Sequence, residues 1–414
     1  MKKKVQAYMD MLATSNYFNG AVLVAHKEDV LLKESYGMSS FQYEVAHTTK
    51  SKFRIGSLTK AFTAMAVLQL HEMGRLDIDC AVETVLPDFP HEPVTIRHLL
   101  QNTSGIPNFT SFPAYWEQSM RLRTTLEAVL SSFWHMPLEF DPGTRMSYSN
   151  SGYLLLTAII ERVSGMSYEA YLRREIFDVL GLKNTGVDNG RQIVPSLATG
   201  HTVWGDVIHT EFIDMSFPLG AYGVYSTIED LYIWSKALQT NKLLCKELQE
   251  EMFKASHGYG LGWFIEGRQA SHFGDINGFV NYFLLDLENE LTVIVLSNIN
   301  ITPVISIGRD LKKIVLGEEV RPLRAFRALE LPMLHLTGEY GALSIGFDDT
   351  LYAIIPKMYG VPYKFRLFPV EATEERVVCK SDFVHDTYVF ELEMRHVRAV
   401  TVTGPDGSTT RYEK

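Results

Sequence analysis

Apolar side chains between residues 58 and 73 fall on nearly every side of a helical wheel, with no Pro or Gly among them. That pattern predicts a helix inside a large protein rather than one lying on its surface. Gly56 interrupts the chain before it and Gly74 ends it. Elsewhere the period changes. An amphipathic helix is expected near residues 3–14, then strands at 20–25 and 30–34 joined by the polar turn Lys27-Glu28-Asp29, which together make a hairpin. Residues 57 to about 240 read as helical and loop-rich, punctuated by Pro87, Pro90, Pro107, Pro113, Pro142 and Gly143. Strands return at 270–273, 279–285 and 291–296 with short turns between them, so an antiparallel meander is expected, extended to five strands by the hairpin. A helix over about 302–316 could cover one face.

The charged stretch Gly317-Glu318-Glu319-Val320-Arg321-Pro322 reads as a boundary, because short alternating segments between turns follow it from Leu336 to Tyr412. The expected organisation is a catalytic domain at 1–317, a linker at 318–335 and an accessory all-β barrel or sandwich at 336–414.

Composition narrows the function classes. Of the 414 residues, 46% are hydrophobic and 21% charged, ordinary values for a globular enzyme. The formal charge of −10, with no basic run beyond Lys2-Lys3-Lys4, argues against a nucleic-acid partner. No segment has the apolar length of a membrane span, and residues 5–11 are too polar for a signal-peptide core, so a cytoplasmic location is expected. Cys80, Cys245 and Cys379 are odd in number and far apart, which supports neither a disulfide framework nor a zinc cluster.

Candidate chemistry lies at the mouth of the apolar helix. Ser57 and Lys60 are three residues apart, hence on neighbouring turns of one helical face. Burial would leave Lys60 a neutral amine able to accept the serine proton, and the helix start offers unpaired N–H groups to developing negative charge. The alternative is a Ser N-cap with a snorkelling Lys. Two loops could complete a site. In Tyr148-Ser149-Asn150, a phenol near a lysine could relay protons while a carboxamide holds the lysine and a substrate carbonyl; otherwise the segment is a turn with an Asn N-cap. In His272-Phe273-Gly274, beside the turn starting at Asp275, the histidine could orient a substrate, the glycine allow close approach and the Asp275 N–H serve as an oxyanion donor; otherwise His272 is structural.

Taken together, Ser57-x-x-Lys60, Tyr148-x-Asn150 and His272-x-Gly274 resemble the serine β-lactamase and penicillin-recognising enzyme superfamily. The likeness is to the branch holding class C β-lactamases, D-alanyl-D-alanine carboxypeptidases, D-aminopeptidases and esterases. Supporting text includes Gly74-Arg75-Leu76-Asp77, Thr103-Ser104-Gly105-Ile106-Pro107 and Tyr259-Gly260-Leu261-Gly262-Trp263. The resemblance covers about residues 17–300 and implies an α/β (α+β) fold with a five-stranded antiparallel sheet flanked by helices. It implies Ser57 as nucleophile, Lys60 and Tyr148 sharing the proton work, Asn150 holding the acyl side chain, and His272 and Gly274 on the opposite wall. The N–H groups of Ser57 and Asp275 would form the oxyanion hole. The region from Leu336 is similar to the lipocalin-like β domains that some members append.

Two departures bear on substrate. A histidine, mostly neutral at pH 7, stands where the family's lysine would hold a substrate carboxylate, and Asp275 adds negative charge beside it. Esters or D-amino-acid amides without a free carboxylate are therefore favoured over efficient β-lactam hydrolysis. The chain has no Gly-x-Ser-x-Gly, no His-Glu-x-x-His and no dinucleotide fingerprint, so neither metal nor cofactor is implied. Besides a serine acyl hydrolase, two other readings stay open: a penicillin-binding receptor that deacylates slowly, and a non-catalytic scaffold.

Overall fold

The computed structural model describes residues 1–320, 326–330, 333–356, 362–394, 396–404 and 407–414. Part of the predicted boundary stretch, Arg321 and Pro322, lies outside them. Helix α1 (Lys2–Thr14) leads into β1 (Gly20–His26) and β2 (Asp29–Tyr36), the expected hairpin. A 3-10 turn, Gly56–Leu58, then opens α2 (Thr59–Glu72), whose residues are buried from Thr59 through Leu70. That burial accounts for a helix with no polar face. Helix α3 (Asn150–Ser164) packs across α2, and the hairpin β3 (His201–Trp204) and β4 (Asp206–His209) follows.

The central sheet then takes β5 (Phe264–Glu266), β6 (Gln269–Ile276), β7 (Phe279–Asp286) and β8 (Leu291–Ser297). Its order is β5-β6-β7-β8-β1-β2, antiparallel throughout, with β1 closing on β8 in the register Gly20↔Ser297 to His26↔Leu291. The five expected strands are all present, and β5 adds a short sixth at one edge. Three residues following the glycine-rich 258–262 stretch carry too little alternation to stand out as a strand. Helix α4 (Val304–Leu316) and α1 cover one face with Val5, Met9, Leu12, Ile307 and Leu311. The other face joins α2 and α3 in the main core.

The C-terminal strands form one antiparallel meander: β9 (Gly338–Tyr340), β10 (Leu343–Phe347), β11 (Leu351–Ile355), β12 (Tyr363–Ala372), β13 (Arg376–Ser381), β14 (Thr387–Glu393), β15 (His396–Thr403) and β16 (Thr409–Glu413). Its alternating inward residues, among them Leu343, Phe365, Leu367, Cys379, Tyr388 and Phe390, fill a second core. The hairpin β3–β4, far earlier in the chain, joins this barrel-like sheet where β3 runs parallel to β12 at Trp204↔Lys364. No helix of the described residues is long and apolar enough to cross a membrane.

Candidate active site

Ser57 sits in the 3-10 turn and Lys60 is the second residue of α2. No part of the Lys60 side chain snorkels out: the residue is 0% exposed. Its Nζ lies 3.1 Å from Ser57 Oγ and donates to Asn150 Oδ1 at 2.7 Å and to the Ala221 carbonyl at 2.8 Å. Burial holds the amine well below the ordinary lysine pKa. A neutral amine has two N–H groups and one lone pair. The two carbonyl-type acceptors take both N–H groups, which leaves the lone pair for the Ser57 hydroxyl.

The other partners are set by long-range packing. The N-cap of α3 is Ser149, so Asn150 is its first helical residue and turns its side chain inward. Its Nδ2 donates to Thr110 Oγ1 at 2.9 Å, which fixes the carboxamide with Oδ1 towards Lys60. Its backbone N–H donates to Asn108 Oδ1 at 3.0 Å, tying the 107–111 loop to the helix. The Lys60 Nζ stands 4.7 Å from the Tyr148 ring centroid. Tyr148 stacks on Phe264, with centroids 6.1 Å apart and an 11° interplanar angle.

Strand β6 supplies the opposite wall. A Cβ on Gly274 would lie 1.9 Å from the Ile55 carbonyl oxygen and 3.2 Å from Ser57 N, so its glycine is what lets β6 press on the Ser57 turn. A Cβ on Gly56 would fall 2.8 Å from Asp275 N. The Ser57 and Asp275 amides are thus neighbours, as an oxyanion hole requires.

His272 corrects one expectation. Along β6, half-buried and buried positions alternate, and His272 falls on the buried side at 0% exposure. Its Nδ1 lies 2.7 Å from the Phe273 carbonyl, an acceptor, so Nδ1 carries the proton; Nε2 then accepts from the Tyr259 hydroxyl at 2.9 Å. Burial, and secondarily the Lys60 charge, lowers its pKa to about 3. A ring so enclosed and committed cannot orient a substrate without leaving its partners.

The cleft at Ser57 is open to solvent. Tyr148, Asn150 and Asp275 line it, together with Phe273, Ile276 and Asn277 beside them in the chain and with Thr110, Tyr115, Trp116, Ile213 and Tyr222, which the motif spacing did not identify. Tyr115 and Tyr222 share a hydrogen bond at 2.9 Å, and burial, followed by the neighbouring phenol, raises the Tyr222 pKa well above its usual value. Among the described residues no group of three or more His, Cys, Asp or Glu side chains converges as a metal site.

Comparison with known proteins bears on the family and the fold. The Beta-lactamase family profile matches residues 1–313. Penicillin-binding protein 4* of Bacillus subtilis (strain 168) is 32% identical over 332 residues, covering 72% of each chain. In fold, the octameric penicillin-binding protein homologue from Pyrococcus abyssi is similar over 100% of this chain and 99% of its own, with a TM-score of 0.67 at 24% identity. The D-amino acid amidase from Ochrobactrum anthropi SV3 is similar over 76% of this chain and 98% of its own, with a TM-score of 0.67 at 23% identity. The chain belongs to the beta-lactamase family of serine hydrolases.

Proposed function

We propose that the protein is a serine acyl hydrolase acting through a covalent acyl-enzyme on amides or esters that lack a free carboxylate, D-amino-acid amides among them. The observation that carries this is the buried Lys60 Nζ, held by two carbonyl-type acceptors and 3.1 Å from Ser57 Oγ, with burial lowering its pKa. Lys60 takes the Ser57 proton as Oγ bonds to the substrate carbonyl carbon. The carbonyl oxygen, now an anion, meets the amides of Ser57 and Asp275, each donor being worth about 3 kcal/mol. Collapse expels the amine or alcohol, which takes a proton by way of Lys60 and Tyr148. Water then attacks the acyl-enzyme with the same groups acting in reverse, releasing acid and restoring Ser57.

Substrate preference follows from the lining. Among the described residues no Lys or Arg lines the cleft, the formal charge there is the Asp275 carboxylate, and His272 is neutral. That wall offers an anionic substrate no counter-charge, while the aromatic side chains suit an apolar acyl group. The likeness to a D-amino acid amidase supports the amide class. A second reading, a receptor that is acylated by penicillin and deacylates slowly, draws on the names of relatives such as penicillin-binding protein 4*.

Intact-mass spectrometry decides between them, using wild type and Ser57→Ala with a fluorophosphonate, benzylpenicillin and a p-nitrophenyl ester. A wild-type-only fluorophosphonate adduct with ester turnover supports the hydrolase. A lasting penicillin adduct without turnover supports the receptor. No Ser57-dependent adduct with any reagent leaves only the scaffold.

A further inference from the structure

The β3–β4 hairpin lies between the C-terminal barrel and the Ser57 cleft and is bonded to both. On the barrel side, the Gly205 amide donates to the Lys364 carbonyl at 2.7 Å, and Val203 is buried in the barrel core. One residue before Lys364, the Tyr363 phenol donates to the Asn300 carbonyl at 3.1 Å, and Asn300 N donates to the β3 carbonyl of His201 at 3.2 Å. On the cleft side, Gly200 and Gly278 meet backbone to backbone: a Cβ on Gly278 would lie 2.5 Å from the Gly200 Cα. Just beyond β4, the Glu211 carbonyl accepts from Asn277 Nδ2 at 3.0 Å. Asp275, Ile276 and Asn277 are cleft-lining residues, and Asp275 carries the amide beside Ser57. The Tyr363 phenol itself feels the negative charge of Asp275, which adds to burial in raising its pKa.

We propose that the C-terminal barrel is a working part of the active site: through Tyr363 and the β3–β4 hairpin it sets the position of the Asp275, Ile276 and Asn277 wall, making Tyr363 a positioning residue for acylation of Ser57. The chain of contacts runs without a break from β12 to the turn after β6. A shift of the Asp275 amide by part of an ångström would misplace an oxyanion donor without disturbing the aromatic side of the cleft, so it acts on turnover more than on binding. This inference rests on Ser57 being the nucleophile.

The test uses the full-length chain and three variants, Tyr363→Phe, Asn277→Ala and the pair. Wild-type ester turnover that Ser57→Ala abolishes is established first. The expected result for Tyr363→Phe is a kcat about 5- to 20-fold lower, with KM within about twofold. The fraction of Ser57 titrated by fluorophosphonate should stay full. The double variant should lose less than the product of the single losses, because both changes loosen one wall. Hydrogen exchange should quicken in residues 270–278 of Tyr363→Phe. Unchanged kcat, a loss matched by loss of titratable sites, or multiplicative losses would overturn the inference. If wild type turns over no ester, the reaction assignment has failed, and exchange at 270–278 alone decides whether the barrel holds the wall. If Tyr363→Phe does not fold, Asn277→Ala carries the reciprocal test: faster exchange at 362–368 supports the coupling and unaltered exchange there refutes it.

Discussion

Replacing Lys60 by Met separates what the amine does for catalysis from what it costs the fold. Met keeps the length and apolar stem of the side chain but removes the base, so ester turnover should fall by about 10²–10⁴-fold. Stability should respond in a way that depends on pH. Two carbonyl oxygens, Asn150 Oδ1 at 2.7 Å and Ala221 O at 2.8 Å, lose their donor. Each buried acceptor left unpaired costs about 1–3 kcal/mol, so the variant should be less stable than wild type by roughly 2–6 kcal/mol near pH 10. Wild type carries an opposing term. Its lysine pKa is lowered in the fold, so at pH values between the folded and unfolded pKa the unfolded chain holds a proton that the native chain does not. Wild-type stability therefore rises with pH through that window and is lost at about 1.4 kcal/mol for each pH unit below the unfolded pKa of about 10.4. The deficit of Lys60→Met should shrink steadily from pH 10 towards neutrality. Urea unfolding of both proteins at pH 10, 8.5 and 7 measures it. A deficit that is the same at all three pH values would mean that Lys60 is charged in the native state, and the general-base assignment would fall with it.

Other expected outcomes rest on equally local features. His47 is buried, and that burial, partly offset by its hydrogen bond to Asn298, lowers its pKa from 6.5 to about 4. Between those values the unfolded state binds the proton, so stability falls with decreasing pH, by about 3 kcal/mol in all for this one group. His47→Gln should show a shallower loss between pH 6.5 and 4.5 in urea midpoints, and an unchanged slope would refute the assignment. Gly274→Ala must displace either β6 or the Ile55 carbonyl, 1.9 Å from the new Cβ. Its rate of fluorophosphonate labelling should drop by about 100-fold while its circular dichroism stays near wild type. Asn150→Ala removes both the acceptor that orients Lys60 and the donor to Thr110. Its kcat should fall by about 10–100-fold, with a smaller change in KM.

What could be read from the chain, and what could not, divides along the distance over which each feature is determined. Ser57, in the 3-10 turn that opens α2, and Lys60, in its first turn, are three residues apart, so their meeting at 3.1 Å follows from helical spacing and an apolar surround. Asn150 follows nearly as well, because a polar residue opening an apolar helix has to turn towards something polar inside the fold. His272 shows where that reasoning fails. Its residue type suggested contact with substrate, yet the alternation along β6 places it on the side away from solvent, and its partners Tyr259 and Phe273 leave both ring nitrogens occupied. The cleft's aromatic lining was illegible for a different reason: Tyr115 and Tyr222 come from separate segments whose approach depends on loop packing, to which hydrophobic periodicity is blind. The hairpin at 201–209 presents the same difficulty on a larger scale. It lies on the helical side of the predicted boundary, and its single parallel pairing to β12 spans about 160 residues of sequence, while only its buried face, Val203 among the barrel's apolar side chains, betrays its attachment. Residue type and spacing therefore reach the contact between Ser57 and Lys60, which is local. The cleft wall is built from contacts between distant segments, which run by way of the hairpin at 201–209 to the C-terminal barrel.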